Sequence, residues 1–147
     1  MTLPNEDCPK VAVLCGGTSS EREISLKTAS SVAETLRKRG FETELIDLPE
    51  AKVPENGERL SRFDVVFVGY HGGAGEDGRV QAALELLGIP YTGSGPLASG
   101  LAMDKILSKR IFEQASIPTP KWFPWEWPQP PVAGQVPQSS GLDYPIV

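Results

Sequence analysis

Between Lys10 and about Ser116 the chain alternates short apolar runs with stretches of helical periodicity. Val11-Ala12-Val13-Leu14-Cys15 is an unbroken apolar run that ends at Gly16-Gly17, the pattern of a parallel strand covered on both faces. The spacing that follows predicts a helix. Ser19 or Ser20 serves as its cap, and Glu21 and Glu23 put negative charge in the first turn, where it suits the helix dipole. Ile24, Ala29, Val32, Ala33 and Leu36 form the side expected to be buried, and Gly40 stops the helix. Glu44–Leu48 reads as a second strand and Asp64–Tyr70 as a third, the most apolar. Asp77 is placed to cap another helix, in which Val80, Ala83, Leu84 and Leu87 recur at i, i+3, i+4 and i+7 before Gly88. Pro90-Tyr91-Thr92 predicts a short fourth strand, and Pro96 to Ala115 one long or broken helical segment. Strands alternating with helices predict an α/β fold, a doubly wound, Rossmann-like parallel sheet of about four to five strands flanked by helices.

From Ile117 onward the pattern changes. Eight of the 14 prolines and all three tryptophans fall in this last stretch, where missing amide donors and fixed φ leave room only for short extended pieces. The expected organisation is a leader over residues 1–9, a folded domain over 10–123, and a Pro/Trp-rich linker with the start of another domain over 124–147. Composition narrows the partners. A net charge of −5 in 147 residues lacks the basic face that nucleic acid or an anionic membrane requires. No apolar run reaches the roughly eighteen residues of a spanning helix, and the polar start does not read as a signal peptide. Cys8 and Cys15 lie in unlike contexts, so they read as free thiols of a reducing, cytoplasmic setting rather than as a bridge.

In a right-handed winding, two loops open on one edge of the sheet, Gly16–Glu21 after the first strand and His71–Gly78 after the third. The second holds the chain's one histidine beside glycines that let a backbone approach a ligand closely. The first looks like a phosphate-binding turn but lacks both the Gly-x-Gly-x-x-Gly fingerprint and a following lysine. A dinucleotide reading stays open, with Asp47 at the end of the second strand as its ribose ligand. Each candidate also has a plain structural reading. Glu21 is a first-turn helix acid, His71 a turn-capping imidazole, Asp77 a helix cap, Lys105 a solvated lysine, and Trp122, Trp125 and Trp127 covers for core or for a neighbouring domain.

Four motifs in register favour the functional reading. Gly16-Gly17-Thr18-Ser19-Ser20-Glu21-Arg22-Glu23-Ile24-Ser25, His71–Gly78, Tyr91–Gly95 and Met103-Asp104-Lys105 occur in an order and spacing that resemble the amino-terminal domain of the D-alanine–D-alanine ligases, from about Lys10 to Phe123. Ala82 departs from the pattern, where the histidine motif usually continues with glycine. The resemblance implies an enzyme that uses ATP and magnesium to phosphorylate one D-alanine, whose acyl phosphate a second D-alanine attacks, giving the dipeptide of peptidoglycan. It implies that Glu21 holds the ammonium of the first D-alanine and that His71 contacts its reacting carboxyl group. The start of the helix after Glu21 would favour the tetrahedral intermediate. Gly17 and Ser19 fall among the substrate-binding positions, Lys105 matches a lysine that reaches the ATP phosphates, and none of these positions is a metal ligand. The family also implies a homodimer.

In that family a strand resembling Tyr144–Val147 runs on into a Val-Lys-Pro sequence whose lysine binds ATP, with the ATP-grasp domains beyond it. The chain stops at Val147. The expectation is therefore a substrate-binding amino-terminal part without ligase activity of its own. The other reading is a truncated, non-catalytic paralogue kept for dimerisation or regulation.

Overall fold

The first apolar run forms β1 (Val11–Gly16), and all of its residues are buried because it is the central strand of a three-stranded sheet. β2 (Thr43–Leu48) and β3 (Val65–Val68) pair with it on either side, both parallel, in the order β2-β1-β3. The register sets Val13 against Leu45 on one side and against Phe67 on the other. The computed structural model describes residues 8–49 and 51–124. Along the sequence the chain divides into two compact units between Met103 and Asp104, and the sheet belongs to the first.

Alternation along β1 divides the core. Ala12 and Leu14 face Ile46, Leu60, Val66, Val80 and Leu84, while Val11, Val13 and Cys15 face Ala29 and Ala33. The second group lies under α1 (Arg22–Lys38). The first lies under α2 (Gly57–Leu60), with a 3-10 turn at Pro54–Asn56 ahead of it, and under α3 (Arg79–Leu86). Helices on both faces make the sheet doubly wound, as predicted.

Details of the elements differ from the sequence reading. α1 buries Ser25, Ala29 and Ala33, whereas Ile24 is 52% exposed. This stripe of small side chains at i, i+4 and i+8 lets the helix lie close on the sheet, and Ile24 falls on the other side of it. The cap position of α1 is Glu21, without a side-chain cap. In α3 the cap position is Gly78, in the left-handed region, while Asp77 Oδ1 accepts the Arg79 amide at 3.1 Å. Leu87 is 40% exposed rather than core.

The expected fourth strand is reduced to a bridge between Val66 and Tyr91. The Val66 amide donates to Pro90 O at 2.8 Å, and the Thr92 amide donates to Val66 O at 3.0 Å. Pro90 has no amide to extend this ladder. The Val68 amide donates instead to the Thr92 side-chain hydroxyl, and Gly93 turns the chain away at φ +108°. The expected strand at Tyr144–Val147 lies outside the described residues.

The helical segment after Pro96 is broken. α4 (Pro96–Met103) closes the first unit, and α5 (Lys105–Gln114) opens the second. Asp104 separates them in extended backbone and caps α5, its carboxylate accepting the Leu107 amide at 2.9 Å. Within the second unit the Trp122 indole donates to Glu113. Trp125 and Trp127 lie outside the described residues. Neither Cys8 nor Cys15 is in a disulfide.

Burial pushes the Cys15 thiol up from its ordinary 9.0 to about 11, the Asp47 carboxylate adding to the shift and Arg22 opposing it. The Tyr70 phenol is raised too, by burial first and then by Cys15 and Asp47. A folded-state pKa above the unfolded value favours the fold while the group is neutral. This contribution is whole below pH 9 and is lost as the pH rises through about 11. The urea midpoint is expected to fall across that window, and Cys15→Ala is expected to flatten part of the fall.

Candidate functional site at the carboxyl edge of the sheet

The loops after β1 and β3 are tied together by hydroxyl groups. The Ser19 hydroxyl donates to the His71 carbonyl at 2.8 Å and accepts the Glu21 amide at 3.2 Å. Deeper in, Ser25 is fully buried. Its hydroxyl donates to Gly69 O at 2.8 Å and accepts the Gly16 amide at 3.0 Å, so one helix side chain holds the ends of both strands. The Gly69 amide donates to Leu14 O at 2.9 Å. A methyl group at Gly69 would sit 2.8 Å from that same oxygen and 3.3 Å from the Ala29 methyl, so helix and strands meet without room for a side chain.

This close approach brings the predicted residues together. Gly72 has φ +68°, and a methyl group there would lie 2.7 Å from Glu21 Oε2 and 3.0 Å from Ser19 Oγ. The Glu21 carboxylate therefore sits directly over the residue after His71, and Glu21 is exposed at the helix start. His71 is half-buried, and its Nε2 stands 3.1 Å from the Thr28 hydroxyl, one turn further along α1. Gly17 has φ +84° and lies against the Tyr70 ring, whose hydroxyl donates to Leu48 O at 3.2 Å. The amides of Glu23 and Ile24 find no carbonyl partner among the described residues, which leaves two donors at the start of α1. A carboxylate, an imidazole and free helix amides around one edge suit a small zwitterion.

Lys105 is the first residue of α5, in the second unit. Asp47 is engaged by Arg22 through two hydrogen bonds, at 2.9 and 2.7 Å. That bidentate pair occupies the carboxylate a dinucleotide ribose would need, and the dinucleotide reading loses its ligand. Asp77 likewise pairs with Arg79, which holds its carboxyl below the ordinary range, so its role is structural.

With this geometry in place, known proteins locate the chain. The sequence profile of the family described as "D-ala D-ala ligase N-terminus" matches residues 50–94. The D-alanine–D-alanine ligase of Moorella thermoacetica is 55% identical over 118 residues, covering 79% of this chain and 37% of that protein. The corresponding ligase of a Synechococcus species is 48% identical over 122 residues, covering 82% of this chain and 38% of its own length. Among solved structures, the D-alanine–D-alanine ligase of Bacillus anthracis complexed with ATP superposes with a TM-score of 0.72 at 40% identity. It covers 79% of this chain and 39% of that one.

The chain belongs to the D-alanine–D-alanine ligase family, as its amino-terminal part.

It spans a little over a third of the length of the family members it matches. Within that part, Ser19, Glu21 and His71 lie together on the two loops named by the motifs, and other residues hold them there. Ser25 and Thr28 are hydroxyl residues within a helix, and neither alters the apolar pattern. Only the packing of α1 on β1 and β3 gives them partners. Ser25 closes the first of the four motifs and shares a small-residue stripe with Ala29 and Ala33, but neither signal gives its hydrogen-bond partners.

Ser25→Ala leaves the buried Gly16 amide and Gly69 carbonyl without this partner, a loss of about 1–3 kcal/mol. Urea denaturation should show a drop of that size, whereas Ser20→Ala on the exposed side of the loop should leave the midpoint nearly unchanged.

Proposed function

We propose that this chain is the substrate-binding amino-terminal part of an ATP-dependent D-alanine–D-alanine ligase that makes a peptidoglycan precursor in the cytoplasm. The observation that carries the reading is the Glu21 carboxylate lying over Gly72, beside the His71 loop. Glu21 holds the ammonium of the first D-alanine by a charge-assisted hydrogen bond. His71 contacts its carboxyl group, and the amides of Glu23 and Ile24 face the negative charge that grows there as the carbonyl is attacked. Gly17 and Ser19 shape the loop around that substrate. Lys105 is assigned to the ATP phosphates by its place in Met103-Asp104-Lys105.

Magnesium finds no ligand set here. Among the described residues no three His, Cys, Asp or Glu side chains gather as a metal site, and the Gly16–Gly17 turn is followed by Glu21 rather than by a lysine. ATP and magnesium therefore belong to the whole ligase, and no step on these residues runs through them. The homodimer is proposed from the family resemblance. No helix among the described residues is long and apolar enough to cross a membrane.

Two measurements test the proposal. In an NMR titration, D-alanine is expected to move the Glu21 amide and His71 ring signals. Glu21→Ala should weaken that response about tenfold or more, the worth of a hydrogen bond to a charged group. Equal responses from both proteins would count against Glu21. In a coupled assay with ATP, magnesium and D-alanine, the 147-residue chain is expected to release no ADP. Turnover would overturn its assignment as a substrate-binding part only.

A further inference from the structure

We propose that Thr28 is a positioning residue that fixes the tautomer of His71, so that the neutral ring carries its proton on Nδ1 and presents that N–H as a donor. The inference rests on the reading of His71 as a contact of the substrate carboxyl group. The side chains are 3.1 Å apart, Thr28 Oγ1 to His71 Nε2, and both are half-buried.

The direction of this hydrogen bond follows from what else Thr28 touches. A threonine within a helix commonly turns its hydroxyl proton back to the carbonyl four residues earlier. Thr35, on the same helix, does so with Ser31 O at 2.8 Å. Thr28 makes no such bond, and Nε2 is its one hydrogen-bond partner among the described residues. With the Thr28 proton directed at Nε2, that nitrogen offers its lone pair. A neutral imidazole with a lone pair on Nε2 holds its proton on Nδ1. Among the described residues Nδ1 has no hydrogen-bond partner, so its N–H is available to a ligand. The ring is also fixed from its backbone, since the His71 carbonyl accepts the Ser19 hydroxyl at 2.8 Å. A donor is what a carboxylate needs. The other tautomer would turn a lone pair towards it, and two acceptors repel.

No other titratable side chain has a hydrogen bond or ion pair to the His71 ring among the described residues. The Glu21 carboxylate lies over Gly72, the residue after His71, and Glu76 and Asp77 stand further along the same loop.

His71 is the chain's one histidine, so its ring nitrogens can be read without assignment ambiguity. The test is a long-range 1H–15N spectrum of the 147-residue chain, without ligand and at a pH where the ring is neutral. Such a spectrum separates a protonated from an unprotonated ring nitrogen. The expected result is mainly Nδ1–H in the unmutated chain and in Thr28→Ser, which keeps the hydroxyl. Thr28→Val, of the same shape without the donor, should shift the population to mainly Nε2–H. An unmutated chain with the proton mainly on Nε2 would overturn the inference, and so would a Thr28→Val ring that keeps the proton on Nδ1. The first of these needs no variant to fold. A D-alanine titration of the same sample bears on the substrate reading alone. A ring that is Nδ1–H yet does not respond to D-alanine would defeat that reading and leave the tautomer established.

Discussion

The site depends on one buried hydroxyl group. Ser25 joins the Gly16 amide at the end of β1 to the Gly69 carbonyl at the end of β3, and it does so from the first turns of α1. Both partners would otherwise be backbone groups buried at a strand end without a hydrogen bond, which costs more than the bond itself yields. The contact requires α1 to lie close on the sheet. That closeness in turn requires alanine at 29 and 33 and no side chain at 69. Helix position, strand ends and both loops are then one mechanical object.

Function follows from that closeness. With α1 fixed, its start brings Glu21 over Gly72, and its second turn brings Thr28 to the His71 ring. Gly72 is indispensable to this arrangement on two counts. Its φ of +68° favours glycine, and a side chain would press on the Glu21 carboxylate and the Ser19 hydroxyl. The Arg22–Asp47 pair anchors the same helix start to the end of β2. Partly exposed as it is, that pair is worth little in stability.

Much of this was legible in the chain. The apolar runs Val11–Cys15 and Asp64–Tyr70 announce parallel strands, the first fully buried and the second partly so as Val65–Val68, and the doubly wound order follows from their alternation with helices. Glu21 and His71 stood out because their motifs recur in register with a known family. What remained hidden depends on contacts distant in sequence. Small residues carry little hydrophobic signal, so Ile24 looked like the buried side of α1 although Ser25 is. Pro90 and Gly93 reduce an expected strand to a bridge, a balance of hydrogen-bond donors that apolar patterning does not register. Asp104 breaks a helix that periodicity alone would continue.

The central claim is that the loops after β1 and β3 form one surface that recognises D-alanine through Glu21 and His71. A crystal structure of this chain grown with D-alanine tests it most directly. The account predicts the amino acid between the loops, its ammonium on the Glu21 carboxylate and its carboxylate towards the His71 ring and the amides of Glu23 and Ile24. D-alanine bound with its carboxylate towards Glu21, or seated away from both loops, would contradict it.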